Sequence, residues 1–172
     1  MRAPVDEPTV NLRPGVRADL DALLALEQAA FTTDQLSRRS FRRFMASPSA
    51  ALIVIEQGGR LAGYALVLFR PGSAIARLYS IAVATAGRGV GRMLLAASEE
   101  AARRRACNAL RLEVHEHNAA AIKHYRKAGY QLFGRHLDYY DDRGDALRFE
   151  KRLDGSSTGR KDSSSPIPSV AR

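Results

Sequence analysis

The segment richest in chemistry is Ile81–Arg92, IAVATAGRGVGR. An apolar, strand-like run leads into a glycine-rich turn and then into a helical pattern. The free N–H groups and partial positive charge of a helix N-terminus suit a phosphate. Gly87, Gly89 and Gly91 let backbone amides approach such an anion unobstructed, and Arg88 and Arg92 add full charges beside it. A second set lies downstream in Leu110–Tyr130, LRLEVHEHNAAAIKHYRKAGY. Strict alternation puts Glu113 on the strand face opposite Leu112 and Val114. Asn118 is placed to cap the next helix, and Tyr125 follows seven residues later, two turns on along the same side. Carboxylate, amide and phenol can therefore converge beside the glycine turn. A carboxylate can take a proton from an ammonium, and a phenol can give one to a leaving group.

Two familiar phosphate loops fail on this segment. The triphosphate loop G-x-x-x-x-G-K-[ST] needs a lysine, and none follows these glycines. The dinucleotide fingerprint G-x-G-x-x-G matches at Gly87 and Gly89 but meets Arg92 at its third glycine. The chain upstream also reads as an antiparallel meander, not the opening strand of a doubly wound parallel sheet.

A third pattern fits. Ala86-Gly87-Arg88-Gly89-Val90-Gly91 resembles the acyl-CoA loop [QR]-x-x-G-x-[GA] of the GNAT superfamily of N-acetyltransferases, with Ala86 where Gln or Arg is usual. Leu110–Tyr130 is similar to the corresponding part of bacterial ribosomal-protein-alanine N-acetyltransferases, with LEV, N-AAAI, Y and G-[FY] in register, and RLYSIAV extends the likeness upstream. The resemblance implies acetyl-CoA as co-substrate, no metal, and direct attack by a primary amine in a ternary complex. It implies Glu113 as general base and Tyr125 as general acid. Arg88, Gly89, Val90, Gly91 and Arg92 would hold the pyrophosphate, and Asn118 the pantetheine arm. A backbone N–H from Ile81, Ala82 or Val83 would face the oxyanion. The leading acceptor is a protein N-terminal α-amine. A small amine (polyamine, amino acid or drug) and a non-catalytic acyl-CoA-binding regulatory module are the alternatives.

The elements that must position these residues can be read from periodicity. Thr9–Arg13 alternates as a strand, and Leu20, Leu23, Leu24 and Phe31 mark a helix from Arg17. Thr33 or Asp34 is expected to cap a second helix that Pro48 ends. Ala51–Glu56 and Leu61–Phe69 flank Gln57-Gly58-Gly59-Arg60, a hairpin signal, and Ala74–Val83 continues the meander. A helix to Arg103-Arg104-Arg105, the strand Asn108–His115, a helix ending before Gly129, and strands Tyr130–Leu137 and Ala146–Leu153 complete the order. This predicts an α+β, GNAT-like fold: a mixed, mostly antiparallel central sheet flanked by helices on both faces. The domain spans 9–153, after a flexible 1–8 and before a Ser/Pro/Gly-rich tail, 154–172, expected to be disordered.

Composition bounds the rest. With 45% hydrophobic and 26% charged residues in 172, the chain has a core's worth of apolar side chains for one domain. No apolar run approaches the roughly 18 residues of a membrane span, and MRAPVDEPTV, with no apolar stretch behind its Arg, is not expected to be a secretory signal. Cys107 is the only cysteine, so no intrachain disulfide is possible. A cytoplasmic protein, monomer or dimer, is expected. The net charge of +9 lies between the termini, because Arg2 opposes Asp6 and Glu7, and Arg160, Lys161 and Arg172 oppose Asp154 and Asp162. A basic globule attracts anions, yet no nucleic-acid motif is present. Among the histidines, His115 and His117 have no evident third metal ligand, and His115, on Glu113's face, is a fallback base.

Overall fold

Gly58 and Gly59 both sit at positive φ, 59° and 74°, and let Gln57 pair directly with Arg60 across a two-residue turn. This hairpin begins the meander at the centre of the protein. The computed structural model describes residues 9–154 and 170–171 of the chain. Strand β1 (Val10–Pro14) is followed by a 3-10 turn (Arg17–Asp19), helix α1 (Leu20–Ala30) and helix α2 (Arg38–Ala46). Strands β2 (Ala50–Gln57), β3 (Arg60–Phe69) and β4 (Ile75–Val83) lead to helix α3 (Val90–Arg104). Strand β5 (Ala109–His115), helix α4 (Ala119–Lys127), strands β6 (Gln131–His136) and β7 (Ala146–Arg152), and the two-residue β8 (Val170–Ala171) follow.

The strands form one sheet in the order β1-β2-β3-β4-β5-β7-β6, with β8 on β4. Every pairing is antiparallel except β4 with β5. Alternation sorts the strands' apolar side chains onto two faces. On one, Ile53, Ala65, Leu78, Leu110 and Leu112 pack with Val90, Leu94 and Leu95 of α3 and Tyr125 of α4. On the other, Leu52, Val54, Tyr64 and Leu66 pack with Leu20, Leu23 and Leu26 of α1 and Phe41 of α2. The sheet is thus covered by helices on both sides, as expected.

Three expectations are corrected. The first helix begins at Leu20, because Arg17–Asp19 forms a tighter 3-10 turn in which Asp19 accepts from Val16 N–H and pairs with Arg13. Helix α2 is capped by Ser37, whose hydroxyl accepts from Ser40 N–H at 3.1 Å, not by Thr33 or Asp34. Asp34 instead stands at φ 51° in the connecting loop. Of the tail expected to be disordered, Val170 and Ala171 are paired with β4. The other tail residues beyond Asp154 lie outside the described residues, as do residues 1–8.

Candidate active site

The site is built where β4 and β5 part. Their parallel register runs from Ile75–Ala109 to Leu78–Leu112 and stops. At that point β4 carries a bulge: Leu66 of β3 faces Ser80 and Val67 faces Leu78, leaving Tyr79 as an extra residue. A bulge bends its strand and increases the local twist, which turns β4 away from β5. The phase shift also shows in packing, since Leu78 and Ile81 lie in the same core although three residues apart. Beyond the bulge, β5 continues alone against β7, with Glu113 opposite Arg148.

The glycine turn closes one end of the gap. Residues 84–89 are exposed, Gly87 and Gly89 have φ of 87° and 73°, and Gly89 is the residue from which α3 starts. A Cβ on Gly89 would touch nothing within 4 Å, so the glycine is needed for its backbone conformation, and the space before it is open. Val90 and Gly91 are buried behind the turn, while Arg88 and Arg92 are exposed beside it. The unpaired first amides of a fifteen-residue helix therefore begin at an exposed turn, with Arg88 and Arg92 exposed on either side of it in the sequence. Asn118 caps α4 as expected, its Oδ1 accepting from Ala121 N–H at 3.1 Å.

Glu113 and Tyr125 approach from opposite faces of the sheet. Glu113 is 8% exposed, and its Oε2 accepts from Arg77 Nε at 2.9 Å. Its Oε1 lies 3.8 Å from Arg148 Nε, a buried nitrogen with no hydrogen bond. Arg77 also donates from Nη2 to Tyr139 Oη at 2.9 Å. Burial works against the Arg77 cation, but the charges and hydrogen bonds of Glu113 and Tyr139 outweigh it, so its pKa is raised. Tyr125 is 2% exposed, packed edge-on against Tyr130. Burial above all, helped by Tyr140, pushes its phenol well above the ordinary tyrosine range, so it keeps its proton. Tyr140 ties the two faces together, because it acts electrostatically on Tyr125 and itself feels Tyr139 and Glu113.

His115 is not poised as a base. Its Nδ1 accepts from His117 N–H at 3.1 Å, which leaves the proton on Nε2, 2.9 Å from Asp142 Oδ2. Asp142 in turn accepts from Gly144 N–H, the main cause of its lowered pKa, with His115 adding to it. The imidazole stacks on Tyr140 at 4.8 Å. Both ring nitrogens are engaged, so His115 holds the β6–β7 loop that carries the two tyrosines. Among the described residues, no group of three His, Cys, Asp or Glu is arranged for a metal ion.

Arg77 and Arg148 escaped the sequence reading. Their signal was present but weak: Arg77 alternates with Ala76 and Leu78, so it points to Glu113's face once β4 and β5 are known to be parallel neighbours.

The model of the Acetyltransferase (GNAT) family matches residues 20–130. The chain belongs to the GNAT family. It is 34% identical over 140 residues to the N-alpha-acetyltransferase RimI of Mycobacterium tuberculosis, covering 78% of this chain and 87% of that one. The crystal structure of the ribosomal-protein-S18-alanine N-acetyltransferase of Escherichia coli superposes with a TM-score of 0.75 at 24% identity, over 90% of this chain and 100% of that one. The ribosomal-protein-alanine N-acetyltransferase of Brucella melitensis gives a TM-score of 0.72 at 28% identity, covering 83% and 99%. This GNAT protein is an acetyl-CoA-dependent N-acetyltransferase. No described helix is long and apolar enough to cross a membrane.

Proposed function

We propose that the acceptor is the α-amine of a protein N-terminus, acetylated by direct attack on acetyl-CoA in a ternary complex. The observation that carries this reading is the parting of β4 and β5 at the Tyr79 bulge, with the glycine turn at one end and Glu113 at the other. The amides of Gly89, Val90 and Gly91, with Arg88 and Arg92, hold the pyrophosphate. The arm lies along Ile81–Val83 and reaches Asn118. Glu113 Oε2 is committed to Arg77, so Oε1 is the oxygen that accepts a proton from the acceptor ammonium, directly or through one water. The amine then bonds to the acetyl carbon, a backbone N–H of the Ile81–Val83 edge stabilises the oxyanion, and the C–S bond breaks. Tyr125 protonates the departing thiolate. In sum an ammonium and a thioester give an amide, a thiol and one proton. Tyr139 is exposed on the β6–β7 loop beside Arg77, with Tyr140 half-buried next to it, a surface on which an extended peptide can lie.

Thiol release with acetyl-CoA tests the acceptor. Peptides with a free N-terminus should turn over, and the same peptides blocked at the N-terminus but bearing a free lysine, or polyamines, should not. Faster turnover with polyamines or free amino acids than with any peptide would replace this reading with the small-amine one.

A further inference from the structure

The edge of β4 assigned above to the acyl-CoA arm already carries a strand. Val170 lies opposite Ala82 and Ala171 opposite Ile81, antiparallel, and β8 also contacts β5 across the gap. Running antiparallel to β4, this segment passes from the glycine-turn end toward the bulge, the same path an arm anchored at the turn must follow. A strand edge offers one row of backbone donors and acceptors, and a neighbour sits about 4.8 Å away, so two occupants cannot share it. Buried edge groups need a partner, and β8 supplies one when no co-substrate does.

We propose that Val170–Ala171 is an intrasteric competitor of acetyl-CoA, seated on Ile81–Ala82 in the resting protein and displaced when the co-substrate binds. The inference rests on the acyl-CoA assignment of this edge. Reach is no obstacle. Strand β7 ends beside the start of β5, where Ala109 pairs with both Arg152 and Ile75. Ala82 lies seven residues further along β4, roughly 23 Å at about 3.3 Å per residue. The chain from Asp154 to Val170 extends up to about 50 Å. Tethering also gives the segment an effective concentration on the order of millimolar, so even a two-residue pairing competes. The apparent affinity for acetyl-CoA is then reduced by the fraction of molecules whose edge is free.

The test is calorimetric titration of acetyl-CoA into the full chain and into the same chain with Val170→Pro and Ala171→Pro. Prolines remove both N–H donors of β8 and bar it from the ladder. Acetyl-CoA should bind the double variant about three- to tenfold more tightly, as expected if the edge is covered in most resting molecules. A peptide of residues 155–172 added to the double variant should weaken acetyl-CoA binding competitively. Gly89→Glu, placed in both backgrounds, reports whether the titrated site is the glycine turn. Equal or weaker affinity in the double variant, with Gly89→Glu still damaging binding, overturns the competitor and leaves the acyl-CoA site standing. Binding that is indifferent to Gly89→Glu, or absent from every chain, overturns the site assignment and the competitor with it.

Discussion

Gly63 is a position where packing bears directly on the proposed co-substrate turn. It lies on β3 opposite Val83, and a Cβ there would sit 2.8 Å from the Ala82 carbonyl oxygen, 2.9 Å from Leu94 Cδ1 and 3.0 Å from Val90 Cγ1. The two side chains can give a little, but the carbonyl is backbone near the end of β4, held in register by the pairing of Ala82 with Tyr64, and gives far less. Gly63→Ala must therefore push the N-terminal turn of α3 outward or spread β3 from β4, an overpacking that costs about 1–3 kcal/mol. For a domain of this size that is a fall in Tm of about 3–10 °C. The turn that moves is the one proposed to hold the pyrophosphate, so acetyl-CoA affinity should fall as well, about three- to thirtyfold if part of the strain, roughly 0.7–2 kcal/mol, is relieved by displacing the turn. Gly59→Ala is the control: with φ of 74° and nothing within 4 Å of its Cβ, it strains the hairpin by about 1–2 kcal/mol without touching α3. Thermal melts and calorimetry on both variants separate the effects. A Gly63→Ala protein that melts with the wild type, or one that loses stability yet binds acetyl-CoA as Gly59→Ala does, would refute the coupling.

Tyr125→Phe keeps the ring against Tyr130 and removes only the hydroxyl, so melting and acetyl-CoA binding should hold while turnover falls about 10²–10⁴-fold. Glu113→Gln should lower turnover most at low pH and be partly rescued at high pH, where the acceptor amine deprotonates itself; Tyr125→Phe should show no such rescue. Wild-type turnover in both variants would make these residues structural. His124 is buried with Nε2 unpaired, and burial, then Arg92 and Lys127, push its pKa below the ordinary imidazole range. The unfolded chain, titrating near about 6.5, then binds this proton more readily than the native state, so its contribution to stability is full above that pH and falls as pH drops below it. Urea midpoints taken from pH 7.5 to 5 should decline less in His124→Leu than in wild type, and equal declines would show that His124 does not titrate as described.

The glycine turn, Glu113, Asn118 and Tyr125 were legible because each is marked by local physics: positive-φ glycines, strand alternation, a capping side chain and helical spacing. What joins them was not. The bulge at Tyr79 breaks the alternation of RLYSIAV, and no residue type announces it; only pairing with β3 does. Arg77 acquires a role only when the parallel register sets it beside Glu113, thirty-six positions away. Ser37 capped α2 in preference to Thr33 and Asp34 because Phe31 and Leu36 are both buried, which holds the residues between them in a loop until the chain has turned. Val170–Ala171 carries too few apolar residues to be read as a strand, and it becomes one only because β4 offers an edge.

Glu27 joins three parts of the molecule through one fully buried carboxylate. From α1 it accepts from Leu36 N–H at 2.5 Å and from Tyr64 Oη at 2.5 Å, and Tyr64 in turn meets Ser80 Oγ at 2.9 Å, beside the bulge. The loop between α1 and α2 is thereby pinned to the sheet beside the Tyr79 bulge. A loop fixed in this way is already in place before an acceptor arrives and adds no closing step of its own. The capture rate of acceptors should then follow diffusion and charge, and discrimination among them should reside in how fast each one leaves.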